Sequence, residues 1–166
     1  MTSRERSDLL ETLAAHRGFL LHTVDGISDD QARQCTTVSA LTLGGLVKHV
    51  SLVEERWAEF VVRGADAMAM TEASMTEHMN SFVLLPDETL AGVVADYQRV
   101  AERTDDLVRT LPDLDAAHPL PEAPWFPPGA TRSARRVFMH IVAETAQHAG
   151  HADIVREALD GQKTMG

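Results

Sequence analysis

The sequence predicts an all-α protein in which residues 1–166 form one domain, a four-helix bundle with a long crossover before the last helix. Four segments of about 20 residues or more repeat apolar residues with the period of an amphipathic helix. No segment shows the alternation that is typical of a half-buried strand. The length of the chain is also typical of a single domain.

The first helix is predicted over residues 3 to 24. Thr2 and Glu5 have the spacing of a capping box at its start. Gly26 ends the helix, and the segment SDDQAR that follows predicts a short turn or helical connector. The apolar stripe of this helix consists of Leu10, Leu13, Ala14, Leu20, Leu21 and Val24.

The second helix is predicted to begin near Ser39, a favourable N-cap residue, and to end at about Gly64. Its stripe consists of Leu43, Leu46, Val47, Val50, Val53 and Trp57. Residues 65 to 86 contain four methionines with irregular spacing, and we predict a loop there with one helical turn. Methionines at such spacing usually fill gaps in packing.

The third helix is predicted to begin at Asp87, which caps it, and to stop at Pro112. Residues 112 to 131 contain six of the seven prolines, and this composition predicts a long irregular crossover. The last helix is predicted over about residues 132 to 160, and Gly161 ends it.

Composition excludes several classes of partner and location. The formal net charge of −10, without a basic patch, disfavours binding to nucleic acid. Cys35 is the only cysteine, so an intrachain disulfide is excluded and a reducing compartment fits. We see no apolar signal segment and no run long enough to span a membrane, so we expect a cytoplasmic protein without a membrane partner.

The last helix carries an unusual group of polar residues, namely His140, Glu144, His148 and His151. At about 100° per residue, the last three lie ~40°, ~80° and ~20° from His140, in the same sector as Val137 and Val155. These side chains are therefore predicted to face the interior of the bundle. Burial without partners would cost several kcal/mol, and a metal ion is the simplest compensation.

His49 on the second helix is the predicted partner of this group. It lies at the flank of the apolar stripe and could meet the last helix in the core. Glu144 and His148, four residues apart, could hold one metal from one helix, and His148 with His151 is the rival pair. Three ligands and an open position are typical of catalytic zinc, whereas a fourth ligand would favour a structural site.

Other polar residues are predicted to lie at the surface or in loops. Four histidines have no comparable setting, namely His16, His22, His78 and His118. Glu54 and Glu55 are predicted to form a solvated edge of the second helix. The motifs of zincins and of ferritin-like di-iron proteins are missing from the sequence.

Two segments resemble the signature segments of the DinB/YfiT-like superfamily, in particular its DUF664 branch, which includes mycothiol-dependent S-transferases. They are LTLGGLVKHVSLVEERW, residues 41–57, and RRVFMHIVAETAQHAGHADIVREALDG, residues 135–161. The resemblance implies one divalent metal, zinc or nickel, bound by His49, Glu144 and His148. His151 is a further ligand or supports one. Mycothiol-dependent maleylpyruvate isomerases are similar to this chain in using Glu at the place of Glu144.

The resemblance implies a metal-dependent transferase that joins a low-molecular-weight thiol such as mycothiol to an electrophilic xenobiotic or metabolite. His140 or His151 would orient a ligand, and Trp57, Arg156 and the Trp125–Phe126 segment are candidates for the wall of the pocket. Two alternatives remain open: a non-enzymatic bundle with a structural metal, and an isomerase that recycles the thiol. A homodimer is compatible with the transferase and with both alternatives.

Overall fold

The computed structural model describes residues 3–164, and this part of the chain is predominantly helical, as predicted. The α-helices are α1 (Arg4–His22), α2 (Asp29–Ala32), α3 (Leu43–Arg63), α4 (Glu72–Asn80), α5 (Leu90–Thr110) and α6 (Ala134–Asp160). A 3-10 helix, Gly64–Met68, follows α3, and two short strands are present, β1 (Ala117–Pro119) and β2 (Thr131–Ser133). None of the helices in residues 3–164 has the length and apolar character that crossing a membrane requires.

The four long helices pack against one another in pairs. α1 contacts α5 and α6, and α3 contacts the same two helices. One apolar cluster is built around Leu46, Val50 and Tyr97, and a second is built around Phe60 and Phe138. The apolar stripes predicted from the sequence therefore face one another, which brings the polar groups at the edges of α3 and α6 together.

The helices begin a few residues away from the predicted positions. The Oγ of Ser3 accepts from the backbone N–H of Arg6 at the start of α1, while Thr2 of the predicted capping box lies outside the described residues. Thr42 rather than Ser39 caps α3, and Thr89 rather than Asp87 caps α5. Each observed cap is the residue directly before the first helical turn, where its side-chain oxygen can reach a free backbone N–H.

Two segments that were predicted as irregular are more ordered than expected. In residues 65–86 the chain forms the 3-10 helix and α4, whose start is fixed by a capping box of Thr71 and Ser74. In the crossover, β1 and β2 pair antiparallel, with Ala117 opposite Ser133. This pair closes the proline-rich segment into a loop whose two ends are joined next to the start of α6.

The prediction that Glu54 forms a solvated edge is wrong. Its side chain is 1% exposed and binds Arg17 of α1, with 2.5 Å between Nη2 and Oε1. Arg17 also binds Asp105 of α5 at 2.8 Å. Glu54 follows Val50 by one turn and precedes Trp57 by one turn, so it lies on the buried stripe of α3 and needs an internal cation.

Candidate metal centre

α6 presents the predicted polar group on one half-buried face. The two carboxylate oxygens of Glu144 contact different imidazoles. Oε1 is 3.6 Å from Nε2 of His140, and Oε2 is 3.5 Å from Nε2 of His148. The His148 side chain is 14% exposed and that of Glu144 is 29% exposed. The face therefore borders solvent instead of lying wholly inside the helix packing.

α3 brings His49 against this face. His49 is 6% exposed, and the centroid of its ring lies 5.0 Å from that of His148. The centroid of the His151 ring lies 5.5 Å from that of His148. The structure thus brings together the four predicted ligands, His49, Glu144, His148 and His151, although they come from two separate helices.

The hydrogen bonds around His49 determine its tautomer. The hydroxyl of Ser81 donates to the backbone carbonyl of His78 at 2.7 Å, so its single proton is used. The Oγ of Ser81 must then accept from Nδ1–H of His49, 3.1 Å away. Nε2 of His49 is left with its lone pair free, which is the state that a metal ligand requires.

Two aromatic rings from the segment after α3 hold His49 in place. Phe82 stacks on its ring at 4.2 Å, and His78 contacts it edge to face at 5.6 Å. His78 is exposed, as predicted, yet it belongs to the surroundings of this site. Neither Ser81 nor Phe82 was identified from the sequence, because nothing in their segment indicates that it folds back on α3.

Burial favours the neutral form of His49, His140 and His148. Burial, and then the charges that His148 and His78 would carry, lower the pKa of His49 to about 4. Burial also lowers the pKa values of His140 and His148, although the carboxylate of Glu144 partly opposes the effect. Neutral imidazole is the form that binds a metal, so little proton release would be needed near pH 7.

The donor set fits a divalent metal ion such as zinc. Nδ1 of His148 and Nδ1 of His151 are buried without a hydrogen-bond partner among the described residues. Imidazole nitrogens and a carboxylate oxygen are ligands that zinc accepts. Within residues 3–164, however, no three His, Cys, Asp or Glu side chains are already grouped as a metal site. Binding would require Glu144 to turn from its present contacts with the two imidazoles.

Trp57 extends the site toward the crossover. Its ring is 7% exposed and contacts His140 edge to face at 4.8 Å. On another side, the guanidinium carbon of Arg132 lies 4.8 Å from the centroid of the Trp57 ring and 5.6 Å from that of Phe126. Arg132 was not singled out in the sequence, where its only signal is a cation between the aromatic crossover and the last helix.

The structure does not bring Arg156 to the histidine face. Its Nη1 donates to the carbonyls of Thr23 and Asp25 at 2.8 and 2.9 Å, and its Nε binds Asp160 at 3.0 Å. Arg156 therefore ties the end of α1 to α6, two helical turns beyond His148. Trp125 is 62% exposed and contacts Phe126.

A comparison with protein families places the chain among known proteins. The model of a protein family described as Mycothiol-S-transferase matches residues 8–161. This match spans the chain from within α1 to the end of α6 and includes every candidate ligand. A search of curated proteins gives no match to the chain.

Proposed function

The chain belongs to the mycothiol-S-transferase family, and we propose that it joins a low-molecular-weight thiol such as mycothiol to an electrophilic small molecule. We propose further that His49, Glu144 and His148 hold a divalent metal ion, zinc or nickel. The observation that carries the proposal is the approach of His49 on α3 to His148 on α6, with Glu144 3.5 Å from His148.

A divalent ion at this face would act as a Lewis acid and lower the pKa of a bound thiol. The residues of the chain supply the rest of the reaction. Ser81 keeps Nε2 of His49 free, and Glu144 provides negative charge that offsets the charge of the ion. His140 lies beside Glu144 and is partly exposed, so its neutral imidazole can accept the thiol proton, and Glu144 stabilises the resulting cation. The sulfur then forms a bond to carbon, and the leaving group departs with its electron pair.

The family and the helix contacts support a finer description of the molecule. We propose that the chain is a single DinB/YfiT-like four-helix bundle formed by α1, α3, α5 and α6, since each of these helices contacts two others in a closed cycle. We also propose a cytoplasmic role in detoxification, because a free low-molecular-weight thiol persists in a reducing compartment.

One observation favours a structural metal as the second candidate function. His151 packs against His148 and has a buried nitrogen without a hydrogen-bond partner in residues 3–164, so it could close the coordination sphere. A closed site with four protein ligands would leave no position for the thiol. The two candidates therefore differ in whether the thiol binds through the metal.

Metal content and thiol binding test the proposal together. His49→Ala and His148→Ala should each lower zinc affinity sharply, whereas His16→Ala on α1, whose ring packs on Phe19, should not. Mycothiol titrated by calorimetry should bind zinc-loaded protein and not the chelated protein. Thiol binding that is indifferent to the metal, or unchanged metal stoichiometry in both variants, would refute the proposal.

Transfer itself is tested with a panel of electrophiles. Zinc-loaded protein should accelerate formation of the thioether from mycothiol, and His148→Ala should abolish the acceleration. A panel without any conjugate, from protein that binds both zinc and thiol, would favour the structural or the isomerase alternative.

A further inference from the structure

Within the part of the chain that the structure describes, two arginines beside the histidine face lack the polar partners that the other lysines and arginines have. Every lysine and arginine in the described chain except Arg132 and Arg136 contacts a carboxylate or a backbone carbonyl. Among residues 3–164, neither of these two arginines has such a contact. With a net charge of −10, the chain has ample carboxylates for pairing. Two neighbouring cations without partners are therefore a local exception.

The surroundings of Arg132 place its guanidinium under two aromatic rings. Trp57 and Phe126 both contact it, and Nη1 is buried without a hydrogen-bond acceptor in the described chain. A buried donor without a partner costs free energy, since it has lost its contact with water. Nε and Nη2 of Arg132, unlike Nη1, are not fully buried. The edge of the guanidinium that carries them is therefore open to solvent.

The position of the two arginines connects them to the proposed active face. Trp57 contacts both Arg132 and His140, each at 4.8 Å from the centroid of its ring. Arg136 lies one turn before His140 on α6, and its charge affects both Arg132 and His140. Cations at the start of a helix oppose its dipole, so the helix dipole does not explain their presence.

We propose that Arg132, with Arg136 beside it, binds a carboxylate of the electrophilic substrate next to the histidine face. A guanidinium held by aromatic rings presents its free edge to a carboxylate in a fixed orientation. The partly exposed ring of Phe126 beside it fits an apolar or aromatic body in the same molecule. The inference rests on the proposed function for the identity of the substrate, and it makes carboxylate-bearing electrophiles the preferred class.

A binding experiment tests this subsite without any reaction. Trp57 and Trp125 are the two tryptophans of the chain, so tryptophan fluorescence reports on this region. We expect 4-methylbenzoate to bind saturably and more tightly than the neutral 4-methylbenzamide. Arg132→Gln should weaken benzoate binding about 10- to 100-fold, the usual range for loss of a charged hydrogen bond. Arg132→Lys should lose less affinity, because it keeps the charge.

The matched control is Arg99→Gln on α5, which removes the same charge from a surface pair with Asp96. It should leave benzoate affinity unchanged. Equal binding of benzoate and benzamide by the wild type, or equal benzoate affinity in Arg132→Gln and the wild type, would overturn the proposal. Circular dichroism of each variant shows that the fold is intact.

A kinetic experiment assigns the carboxylate to the electrophile. With mycothiol at saturation, 4-(bromomethyl)benzoate should have a higher kcat/KM than its methyl ester, and Arg132→Gln should remove this preference through KM for the acid. A rise in KM for mycothiol instead would place the thiol at Arg132 and overturn the assignment. Transfer to neither electrophile would count against the proposed function, while the fluorescence titration would still decide the subsite.

Discussion

The hydroxyl of Ser81 determines which nitrogen of His49 is free. Because Ser81 donates to the carbonyl of His78, its oxygen accepts from Nδ1–H of His49. Ser81→Ala removes this acceptor, so the imidazole can turn or change tautomer, and we expect zinc affinity to fall about 10- to 100-fold. Competition with a chelating dye measures this change.

The control for Ser81 is Ser39→Ala. The Oγ of Ser39 accepts from the backbone N–H of Leu41 in the segment before α3 and contacts none of the histidines. Zinc affinity should stay at the wild-type value in this variant. Wild-type affinity in Ser81→Ala would show that His49 does not depend on the hydroxyl.

The lowered pKa of His49 makes stability depend on pH in metal-free protein. Its pKa is about 4 in the folded chain, against an ordinary value of 6.5, so below pH 6.5 the unfolded chain binds the proton more readily. The contribution of neutral His49 to the free energy of unfolding is complete above pH 6.5. It is lost as the pH falls toward 4, by up to about 3 kcal/mol. His49→Asn should therefore lose less stability over this range than the wild type.

Urea unfolding in EDTA at pH 7 and pH 4.5 measures this dependence. His140 and His148 also have lowered pKa values, so the variant should keep part of the loss. His16→Gln on α1 should show the full wild-type loss. If the free energy of unfolding fell equally in His49→Asn and in the wild type between pH 7 and pH 4.5, His49 would not be the cause of the pH dependence.

At the scale of the elements, two glycines allow the segment after α4 to reach the start of α3. A Cβ on Gly45 would lie 2.0 Å from the carbonyl oxygen of Phe82 and 2.5 Å from its carbonyl carbon. A Cβ on Gly44 would lie 3.2 Å from the Cβ of Leu84. This close approach places Phe82 on His49, one turn further along α3.

Gly45→Ala is therefore expected to affect both stability and the site. The contact is with backbone atoms, which cannot move aside cheaply, so we expect a loss of about 1–3 kcal/mol in the free energy of unfolding. Zinc affinity should fall as well, because Phe82 and Ser81 move with their backbone. Denaturant unfolding and dye competition measure the two effects.

Gly150→Ala on α6 is the matched control for Gly45. A Cβ there meets no atom within 4 Å, so the gain in helix propensity should stabilise the protein by about 0.5–1 kcal/mol. If Gly45→Ala were stabilising as well, the close approach to Phe82 would not be a constraint.

The elements differ in how well the sequence predicts them. The four long helices bury apolar stripes, and the 3.6-residue period of those stripes is visible in the sequence. α4 has no buried residue, so it leaves no such pattern. β1 and β2 are three residues long, too short for alternation to be recognised, and depend on each other for pairing.

The same distinction applies to the candidate site. His49 and the polar residues of α6 lie on the faces of long helices, so helical geometry predicts that they meet. Ser81 and Arg132 belong to connecting segments, whose positions depend on tertiary contacts that no local pattern records. The burial of Glu54 depends on Arg17, a cation from another helix. The local pattern of α3 does not record that partner, so the sequence predicts an exposed carboxylate instead.

At the scale of the whole molecule, one buried ion pair joins three of the long helices. Glu54 of α3 receives hydrogen bonds from Nε and Nη2 of Arg17 on α1, and Nη1 of Arg17 binds Asp105 on α5. Glu54 is 1% exposed and Arg17 is 6% exposed. The helices that carry the site are therefore held in register partly by charge, inside an otherwise apolar core.

Removing one partner of this pair should be far more costly than removing both. Arg17→Met leaves the Glu54 carboxylate buried without its cation, and we expect a loss of about 3–5 kcal/mol. The double variant Arg17→Met, Glu54→Leu replaces the pair by apolar side chains and should recover most of that loss. Arg109→Gln, which removes an exposed partner of Asp105, should cost less than about 1 kcal/mol. Urea unfolding of the four proteins of the cycle, with Glu54→Leu, gives the coupling energy, and a value near zero would show that the two groups stabilise the fold independently.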